Sequence, residues 1–395
     1  MNALQKLIDQ PDYLKKEKGI EHTPGEIQQQ PETWAKATRI LLDRREEILE
    51  FMEAAGLRGD GQATLILTGA GSSEFVGNAV ANLIRRTLKR ETLSIPTTHL
   101  VTHPASAFIP GRPYVVVSFA RSGNSPESVA TYDRVWRHCP DARQIVITCN
   151  KEGALAKRAS EDPNALSLVL PEETHDRSLV MTSSYSTMAW TAAGLGLLEN
   201  PKELRRISKL LQQGGEQLLQ YQSQKIADFA RIQFDRACYL GSNTLFGTMQ
   251  ECALKLQEMS DGSVATRFES FLGLRHGPQV FVDETCVVIA SVSSNPAIRR
   301  YEVDMLRELQ QKGQGCGTMV VCARADDELK PLCTHLVELY PEGEVLGDGY
   351  RVMTDVMVGQ ILGTFKSLSL GLKPDAPSAA GTINRVVQGV VIYDE

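Results

Sequence analysis

Short apolar runs recur through the first half of the sequence, and they constrain its fold more than any other feature. The runs are TLILT (64–68), YVVVS (114–118), QIVIT (144–148) and LSLVL (166–170), with segments long enough for a helix or a crossover between them. Continuous apolar strands that alternate with helices are typical of a parallel sheet covered on both faces. The sequence therefore predicts an α/β fold.

The pattern then starts again, which predicts a duplication. CYLGSN (238–243) repeats the order of LTGAGSS (67–73), and TCVVIASVSSNP (285–296) repeats that of PYVVVSFARSGNSP (113–126). Gly69 and Gly241 are 172 residues apart, and so are Ser118 and Ala290. We predict two α/β domains, 57–200 and 234–395, joined by a helical connection at 201–233 and preceded by an irregular segment and one helix at 1–56, in which Thr33 caps the helix.

Composition excludes several classes of protein. The 395 residues are 42% hydrophobic and carry a formal net charge of −6, which does not favour nucleic acid or an anionic membrane as a partner. The eight cysteines form no CxxC pair, as expected for reduced thiols in the cytoplasm. Ser178–Leu198 lacks charge but is rich in Ser and Thr, so we predict a loop and a buried helix there instead of a membrane span.

Two hydroxyl-rich loops follow predicted strands of the first half: Gly69-Ala70-Gly71-Ser72-Ser73, and Ser122-Gly123-Asn124-Ser125 with Ser128 beyond it. In a parallel sheet such loops open helices, whose N-termini bind anions. Helix capping by Ser73 and Ser125 is the simpler explanation for either loop alone. Both together favour a phosphate site, although neither loop is a Walker motif and GAGSSE departs from the dinucleotide fingerprint.

Candidate reactive groups lie in the second half. Glu251, Lys255 and Glu258 fall on one face of a predicted helix, and His276 lies in LRHGP. A solvated Glu-Lys-Glu stripe and a structural loop histidine are the simpler explanations. With the phosphate loops, however, a carboxylate base and an imidazole acid suit proton transfer beside the carbonyl of a phosphorylated substrate. No cluster has metal-ligand spacing, so we expect neither a metal nor a cofactor.

Longer motifs resemble a known family. TGAGSSEFVG, SFARSGNSPESVA, ETHDRSLVMTSS, LRHGP and PDAPSAAGTINRVVQGV are similar to the sugar isomerase (SIS) family, and within it to the galactosamine-6-phosphate deaminase and tagatose-6-phosphate ketose/aldose isomerase branch. The isomerase domain of glucosamine-6-phosphate synthase is a more distant relative. The resemblance implies two tandem SIS domains, each a flavodoxin-like, five-stranded parallel sheet between helices, and a homodimer whose active sites use both subunits.

The resemblance also implies roles for particular residues. The distant relative's E-x3-K-x2-E pattern makes Glu258 the catalytic base, and its K-H-G-P histidine makes His276 the ring-opening acid, supplied by the neighbouring subunit. The remaining residues are expected to bind substrate: Ser72, Ser73, Arg121, Ser122, Asn124, Ser125, Ser128, Glu251, Lys255 and Arg385. The sequence departs from the relative at Ala120 and Arg121, and Arg385 is the nearest basic residue to the relative's C-terminal lysine.

These expectations lead to three hypotheses. The first is a deaminating aldose–ketose isomerase that acts on an amino-sugar 6-phosphate, for which galactosamine 6-phosphate is the expected substrate. It is favoured over glutamine-dependent synthesis because no glutaminase domain is present and residue 2 is Asn. The second is a tagatose-6-phosphate isomerase that uses the same residues without deamination. The third is a sugar-phosphate sensor without chemistry, which Glu258 and His276 argue against.

Overall fold

A computed structural model describes residues 2–387 and 389–393 of the chain. The quoted C-terminal motif includes Gln388, which lies outside the described residues, as do Met1 and the last two residues. The chain forms two compact units. Unit I comprises Glu32–Asp176, Ser183–Ser208 and Ile383–Glu395, and unit II comprises Met1–Pro31, Arg177–Thr182 and Lys209–Thr382. The linear division predicted at residues 56, 200 and 233 stays a prediction.

The helices, in chain order, are α1 Ala3–Ile8, α2 Asp12–Lys18, α3 Thr23–Gln28, α4 Gln30–Asp43, α5 Arg45–Ala54, α6 Ser72–Leu88, α7 Thr97–Thr102, α8 Pro126–His138, α9 Ala154–Glu161, α10 Ser183–Leu195, α11 Pro201–Gln217, α12 Ser223–Phe229, α13 Thr244–Met259, α14 Phe271–Leu274, α15 Pro296–Gln311 and α16 Asp348–Ser369. The strands are β1 Thr64–Thr68, β2 Thr92–Ser94, β3 Tyr114–Ala120, β4 Arg143–Thr148, β5 Ala165–Val169, β6 Arg236–Leu240, β7 Ala265–Glu269, β8 Cys286–Ser291, β9 Gly317–Cys322 and β10 His335–Glu338. A π-helical turn, Leu218–Gln222, links α11 to α12.

Each unit contains one five-stranded parallel sheet, as predicted. The strand order is β2-β1-β3-β4-β5 in unit I and β7-β6-β8-β9-β10 in unit II. The central strands β3 and β8 are buried along their whole length, which is why their sequences are continuously apolar and do not alternate. This is the doubly wound α/β architecture, in which helices cover both faces of each sheet.

The duplication extends to details of the backbone. Thr64 pairs with Tyr114 in unit I, and Arg236 pairs with Cys286 in unit II, so both strand pairs keep the same sequence offset and the same register. A Cβ atom at Gly69 would lie 2.4 Å from the backbone of Ser73, and one at Gly241 would lie 2.5 Å from that of Leu245. The same tight turn therefore follows the first strand of each sheet.

The N-terminal segment is not irregular, and that part of the prediction is wrong. Residues 3–28 form the short helices α1, α2 and α3. Asn2 caps α1, and Gly19 ends α2 in the left-handed region at φ 61°. The start of α3 is held by the Asp375 carboxylate, which accepts hydrogen bonds from the N–H groups of residues 21–23. Helix α4 also begins earlier than predicted, at Gln30, so Thr33 is inside the helix and does not cap it.

The chargeless run Ser178–Leu198 contains the buried helix predicted from it. Every residue of α10 is buried, and its polar side chains bond within unit I: Trp190 donates to Thr38 Oγ1, and Ser186 Oγ accepts from Trp34. Hydrogen bonds of this kind let a helix with several hydroxyls lie in a protein core. Among the described residues, no helix is both long and apolar enough to cross a bilayer.

Candidate active site

The topology of unit I places the two hydroxyl loops side by side. The chain leaves β1 towards β2 on one side and returns through β3 on the other, so the strand order reverses between β1 and β3. Thr68 and Ser118, near the ends of these strands, are register partners. Ligands of open α/β sheets bind at such a reversal, outside the carboxyl ends of the strands. The loops at 69–73 and 121–128 flank this position.

The first loop brings two serines to the beginning of α6. Gly71 occupies the N-cap position at φ 57°, a conformation that favours glycine, and Ser72 and Ser73 form the first turn. Ser73 is therefore not the N-cap that the capping explanation required. Gly69 O accepts hydrogen bonds from both the N–H and the hydroxyl of Thr97, which fixes the loop against α7. Ser72 and Ser73 are each 6% exposed, at the N-terminal end of a long helix.

The second loop combines a helix cap with a row of hydroxyls. Ser125 is the N-cap of α8 and accepts a hydrogen bond from the N–H of Ser128, as the capping explanation predicted. Ser125 Oγ also donates to Ser128 Oγ at 2.6 Å, and Ser122 Oγ accepts from the N–H of Asn124. Asn124 Oδ1 accepts from the N–H of Ala154 at the start of α9, so this side chain also positions the loop. Among the described residues, Ser122, Ser125 and Ser128 make no hydrogen bond to a carboxylate.

Arg121 of the second loop and Arg134 of α8 each donate a hydrogen bond to the C-terminal tail of unit I. Arg121 is 7% exposed, and its Nη2 donates to the main-chain oxygen of Arg385. Arg385 in turn donates through Nε to the main-chain oxygen of Asp176 at 2.8 Å. Arg134 of α8 donates to the main-chain oxygen of Tyr393 in the same tail. The structure therefore brings Arg121 and Arg385 together beside the serines, with main-chain carbonyls as their partners.

Three ionisable side chains lie together on α13 of unit II. Lys255 Nζ lies 3.3 Å from Glu251 Oε1 and 2.5 Å from Glu258 Oε2. The side chains of Glu251 and Lys255 are fully buried, whereas that of Glu258 remains 22% exposed. The alternative of a solvated stripe is therefore wrong. Of the three, Glu258 is the one that a ligand can reach.

The triad contains one basic and two acidic side chains. Burial alone would lower the pKa of Lys255, but the negative charges of Glu251 and Glu258 outweigh it and raise that pKa above its ordinary value. Lys255 is therefore held in its protonated form between two carboxylates. Its role in the structure is to hold the Glu258 carboxylate at one end of the buried pair.

Close packing of α13 against α16 explains why the triad is buried. A Cβ atom at Gly359 would lie 2.6 Å from Cys252 Cβ, and one at Gly363 would lie 2.5 Å from Met259 Sδ. The two glycines are four residues apart, so they share a face of α16. The absence of side chains on that face lets α13 approach and excludes water from Lys255. No pattern in the sequence predicted this glycine pair.

His276 lies apart from the triad's helix, on the turn between α14 and a short 3-10 helix, Pro278–Phe281. The next residue, Gly277, has φ 114°, a conformation that other residues rarely adopt, so the Gly-Pro sequence shapes this turn. Arg275 Nε is bonded to Glu308 Oε2 at 2.7 Å, which anchors the loop to α15. His276 is exposed, and within the described part of the chain its imidazole has no hydrogen bond or ion pair.

The structure thus groups the predicted residues by unit. Unit I holds the serines, Asn124, Arg121 and Arg385, and unit II holds the triad and His276. Within the residues that the structure describes, no cluster of three or more His, Cys, Asp or Glu side chains could hold a metal ion.

Comparisons with known proteins agree with this architecture. No protein-family model matches the chain. D-galactosamine-6-phosphate deaminase AgaS of Escherichia coli is 35% identical over 373 residues, which cover 94% of this chain and 95% of that protein. The crystal structure of tagatose-6-phosphate ketose/aldose isomerase from Escherichia coli has a TM-score of 0.82 at 32% identity, over 94% of this chain and 96% of that one.

A more distant structure shares the fold alone. The C-terminal domain of glucosamine-fructose-6-phosphate aminotransferase from Francisella tularensis has a TM-score of 0.70 at 16% identity, over 90% of this chain and 98% of that one. The two sheets and the hydroxyl loops define a protein with two tandem SIS domains, of the phosphosugar isomerase class. Within that class, the chain belongs to the AgaS family of D-galactosamine-6-phosphate deaminases.

Proposed function

We propose that this chain is a deaminating aldose–ketose isomerase, which converts galactosamine 6-phosphate and water into tagatose 6-phosphate and ammonia. The observation that carries the proposal is the triad on α13: a buried Lys255 holds Glu258, whose side chain is 22% exposed whereas Glu251 and Lys255 are fully buried. A carboxylate fixed by a buried cation is positioned as a general base. The substrate is the one for which the relative AgaS of Escherichia coli is named.

The serine loops of unit I would bind the phosphate group. Ser72 and Ser73 begin α6, and Ser125 caps α8, so two helix N-termini and several hydroxyls face the position where the strand order reverses. Backbone N–H groups and helix dipoles bind a phosphate without a nearby lysine. Arg121 is tied to the tail, so we assign it to positioning this loop, with Asn124 and Ser128.

Glu258 would move one proton between two carbons and needs neither a metal nor a cofactor. It removes the proton from C2 of the open-chain amino sugar, which gives an enolamine, and the proton returns to C1. The resulting ketimine at C2 takes up water and expels ammonia, which leaves the ketose 6-phosphate. Glu251 and Lys255 would hold Glu258 in position. Arg385, the nearest basic residue to the relative's C-terminal lysine, would contribute to substrate binding.

His276 would open the sugar ring by transferring a proton to the ring oxygen. Its imidazole is exposed, and the residues four positions before and after it in the sequence, Leu272 and Val280, are apolar and exposed at 46% and 85%. Exposed apolar residues around an unpaired functional group suit a surface that a second copy of the chain covers. We therefore propose a homodimer in which His276 of one subunit completes the site of the other, in the cytoplasm as expected from the sequence.

The test is an assay for free ammonia and for ketose phosphate, with galactosamine 6-phosphate, glucosamine 6-phosphate and tagatose 6-phosphate as substrates. We expect ammonia and tagatose 6-phosphate in equal amounts from the first. The name of the structural relative favours a second candidate, a tagatose-6-phosphate isomerase. Interconversion of tagatose 6-phosphate with its aldose, without ammonia release from either amino sugar, would support that candidate and refute the deaminase.

A further inference from the structure

The position in unit II that corresponds to the phosphate loops of unit I contains two carboxylates of the chain itself. The strand order of unit II reverses between β6 and β8, as it does between β1 and β3 in unit I. The loops after β6 and β8 are residues 241–243 and 292–295. Both sets of loops therefore lie at a place where an α/β sheet binds ligands.

The loops of unit II keep the backbone of their counterparts. Asn243 has φ 55° and ψ −119°, and its counterpart Gly71 has φ 57° and ψ −128°. Asn295 is the N-cap of α15 and is followed by Pro296, as Ser125 and Pro126 are in α8. Asn243 is one of the few described residues other than glycine at positive φ. Unit II thus keeps this backbone conformation although asparagine, and not glycine, occupies the position.

The Asp348 carboxylate accepts hydrogen bonds from the second loop. Ser293 Oγ donates to Oδ2 at 2.5 Å, while Ser294 donates to Oδ1 through its N–H at 2.9 Å and through its hydroxyl at 2.6 Å. Arg351 Nη1 lies 3.3 Å from the same Oδ1 and is fully buried. Two hydroxyls, a backbone N–H and a guanidinium are donors that also bind phosphate oxygens.

A second carboxylate links the two loops. Glu302 of α15 is fully buried, and its Oε2 accepts from the N–H of Ser293 at 2.7 Å, with a further hydrogen bond from the side chain of Ser242. The other unit differs at this point, since its hydroxyls Ser122, Ser125 and Ser128 bond to each other and to the loop backbone, with no carboxylate among their described partners.

We propose that this place in unit II is an anion site that Asp348 fills permanently, as a tethered substitute for a phosphate group. A tethered carboxylate loses no translational freedom on binding, so it excludes a free anion that carries the same charge. The protein would then bind one phosphorylated ligand per chain, in unit I. That count rests on the proposed function of unit I, whereas the occupancy of the site by Asp348 does not.

The experiment removes the tethered carboxylate and supplies a free anion. Asp348→Ala removes the carboxylate that Ser293, Ser294 and Arg351 share, while Arg351 keeps its ion pair with Asp355. Asp304→Ala removes an exposed carboxylate of α15 as the matched control. Both substitutions are made in a Ser122→Ala/Ser125→Ala background, which weakens the phosphate site of unit I. Thermal unfolding is followed with inorganic phosphate, sulfate or chloride at constant ionic strength, and phosphate binding is counted by equilibrium dialysis.

We expect phosphate and sulfate, but not chloride, to raise the melting temperature of Asp348→Ala above any effect on its control, with one additional phosphate bound per chain. A variant that folds only with one of these anions present supports the proposal as well. The proposal is overturned if Asp348→Ala and Asp304→Ala respond equally. It is also overturned if neither Asp348→Ala nor Asp348→Ser folds with any anion, because a free anion then cannot replace the side chain. Because ammonia release is not used, failure of the deaminase assay leaves this result unchanged.

Discussion

Replacing Lys255 by methionine should reveal how strongly the buried triad is coupled. The substitution keeps an unbranched side chain of similar size but removes the ammonium that lies 3.3 Å from Glu251 Oε1 and 2.5 Å from Glu258 Oε2. Glu251 is fully buried, so its carboxylate would remain in the core without a cation. Removing one partner of a buried ion pair costs about 3–5 kcal/mol of unfolding free energy.

The assay is urea unfolding, compared with that of Lys209→Met, which removes an exposed lysine of α11 and should cost less than about 0.5 kcal/mol. Adding Glu251→Gln to Lys255→Met should recover much of the loss, because an amide is easier to bury than an unpaired charge. A loss below about 1 kcal/mol for Lys255→Met, or no recovery in the double variant, would refute the coupling.

The loss should also depend on pH. In the native chain the pKa of Lys255 is raised, so its stabilising effect is fully present below the unfolded value near 10.4 and disappears as the pH rises through the folded value. In Lys255→Met, the buried Glu251 must keep a proton to avoid an unpaired charge. An acid with a raised folded pKa loses stability as the pH rises above its unfolded value of about 4.3, so the difference from the native chain should grow between pH 4 and 7. A difference that does not change with pH contradicts this account.

Three further substitutions test separate parts of the structure. Gly359→Ala places a Cβ 2.6 Å from Cys252 and should cost about 1–3 kcal/mol in urea unfolding. A Cβ at Gly25 would meet nothing within 4 Å outside its own helix, so Gly25→Ala should not destabilise the chain. Equal effects would refute the close packing of α13 and α16. Ser125→Ala should lose about 1 kcal/mol of stability with its helix cap, while Ser125→Asp keeps the cap but repels phosphate, so a raised KM with native stability is expected for the latter. Arg121→Lys should raise KM roughly tenfold with a smaller effect on kcat, because the contact with the tail that positions the loop is lost. The control is Arg137→Lys, at an exposed position of α8. An unchanged KM in Arg121→Lys would mean that the contact has no part in binding.

The sheets could be predicted from the sequence because each strand is specified by residues within the strand itself. Continuous apolar runs such as Tyr114–Ala120 identify buried parallel strands without reference to the rest of the chain. The offset between Gly69 and Gly241 identified the duplication for the same reason, since each glycine is required by its own tight turn. Helix α3 could not be predicted because the N–H groups at its start donate to the carboxylate of Asp375, more than 350 residues away in sequence.

The candidate site could be predicted only in part. Helical spacing placed Glu251, Lys255 and Glu258 on one face, but it could not distinguish a solvated face from a buried one. Gly359 and Gly363 decide that question, and they belong to a helix about 100 residues further on. The serines at 122 and 125 were visible as a loop, whereas the attachment of Arg121 to the tail and the occupation of the second site by Asp348 depend on contacts between distant segments.

The most direct measurement compares ammonia release from galactosamine 6-phosphate by the native chain, Glu258→Gln and Glu50→Gln. Glu50 is an exposed carboxylate of α5, so its substitution should leave the rate unchanged. Loss of the general base should lower kcat about 10²–10⁴-fold in Glu258→Gln, with KM and the unfolding midpoint near their native values. Release of ammonia by Glu258→Gln at a rate close to that of the native chain would contradict the central claim that the triad on α13 supplies the base.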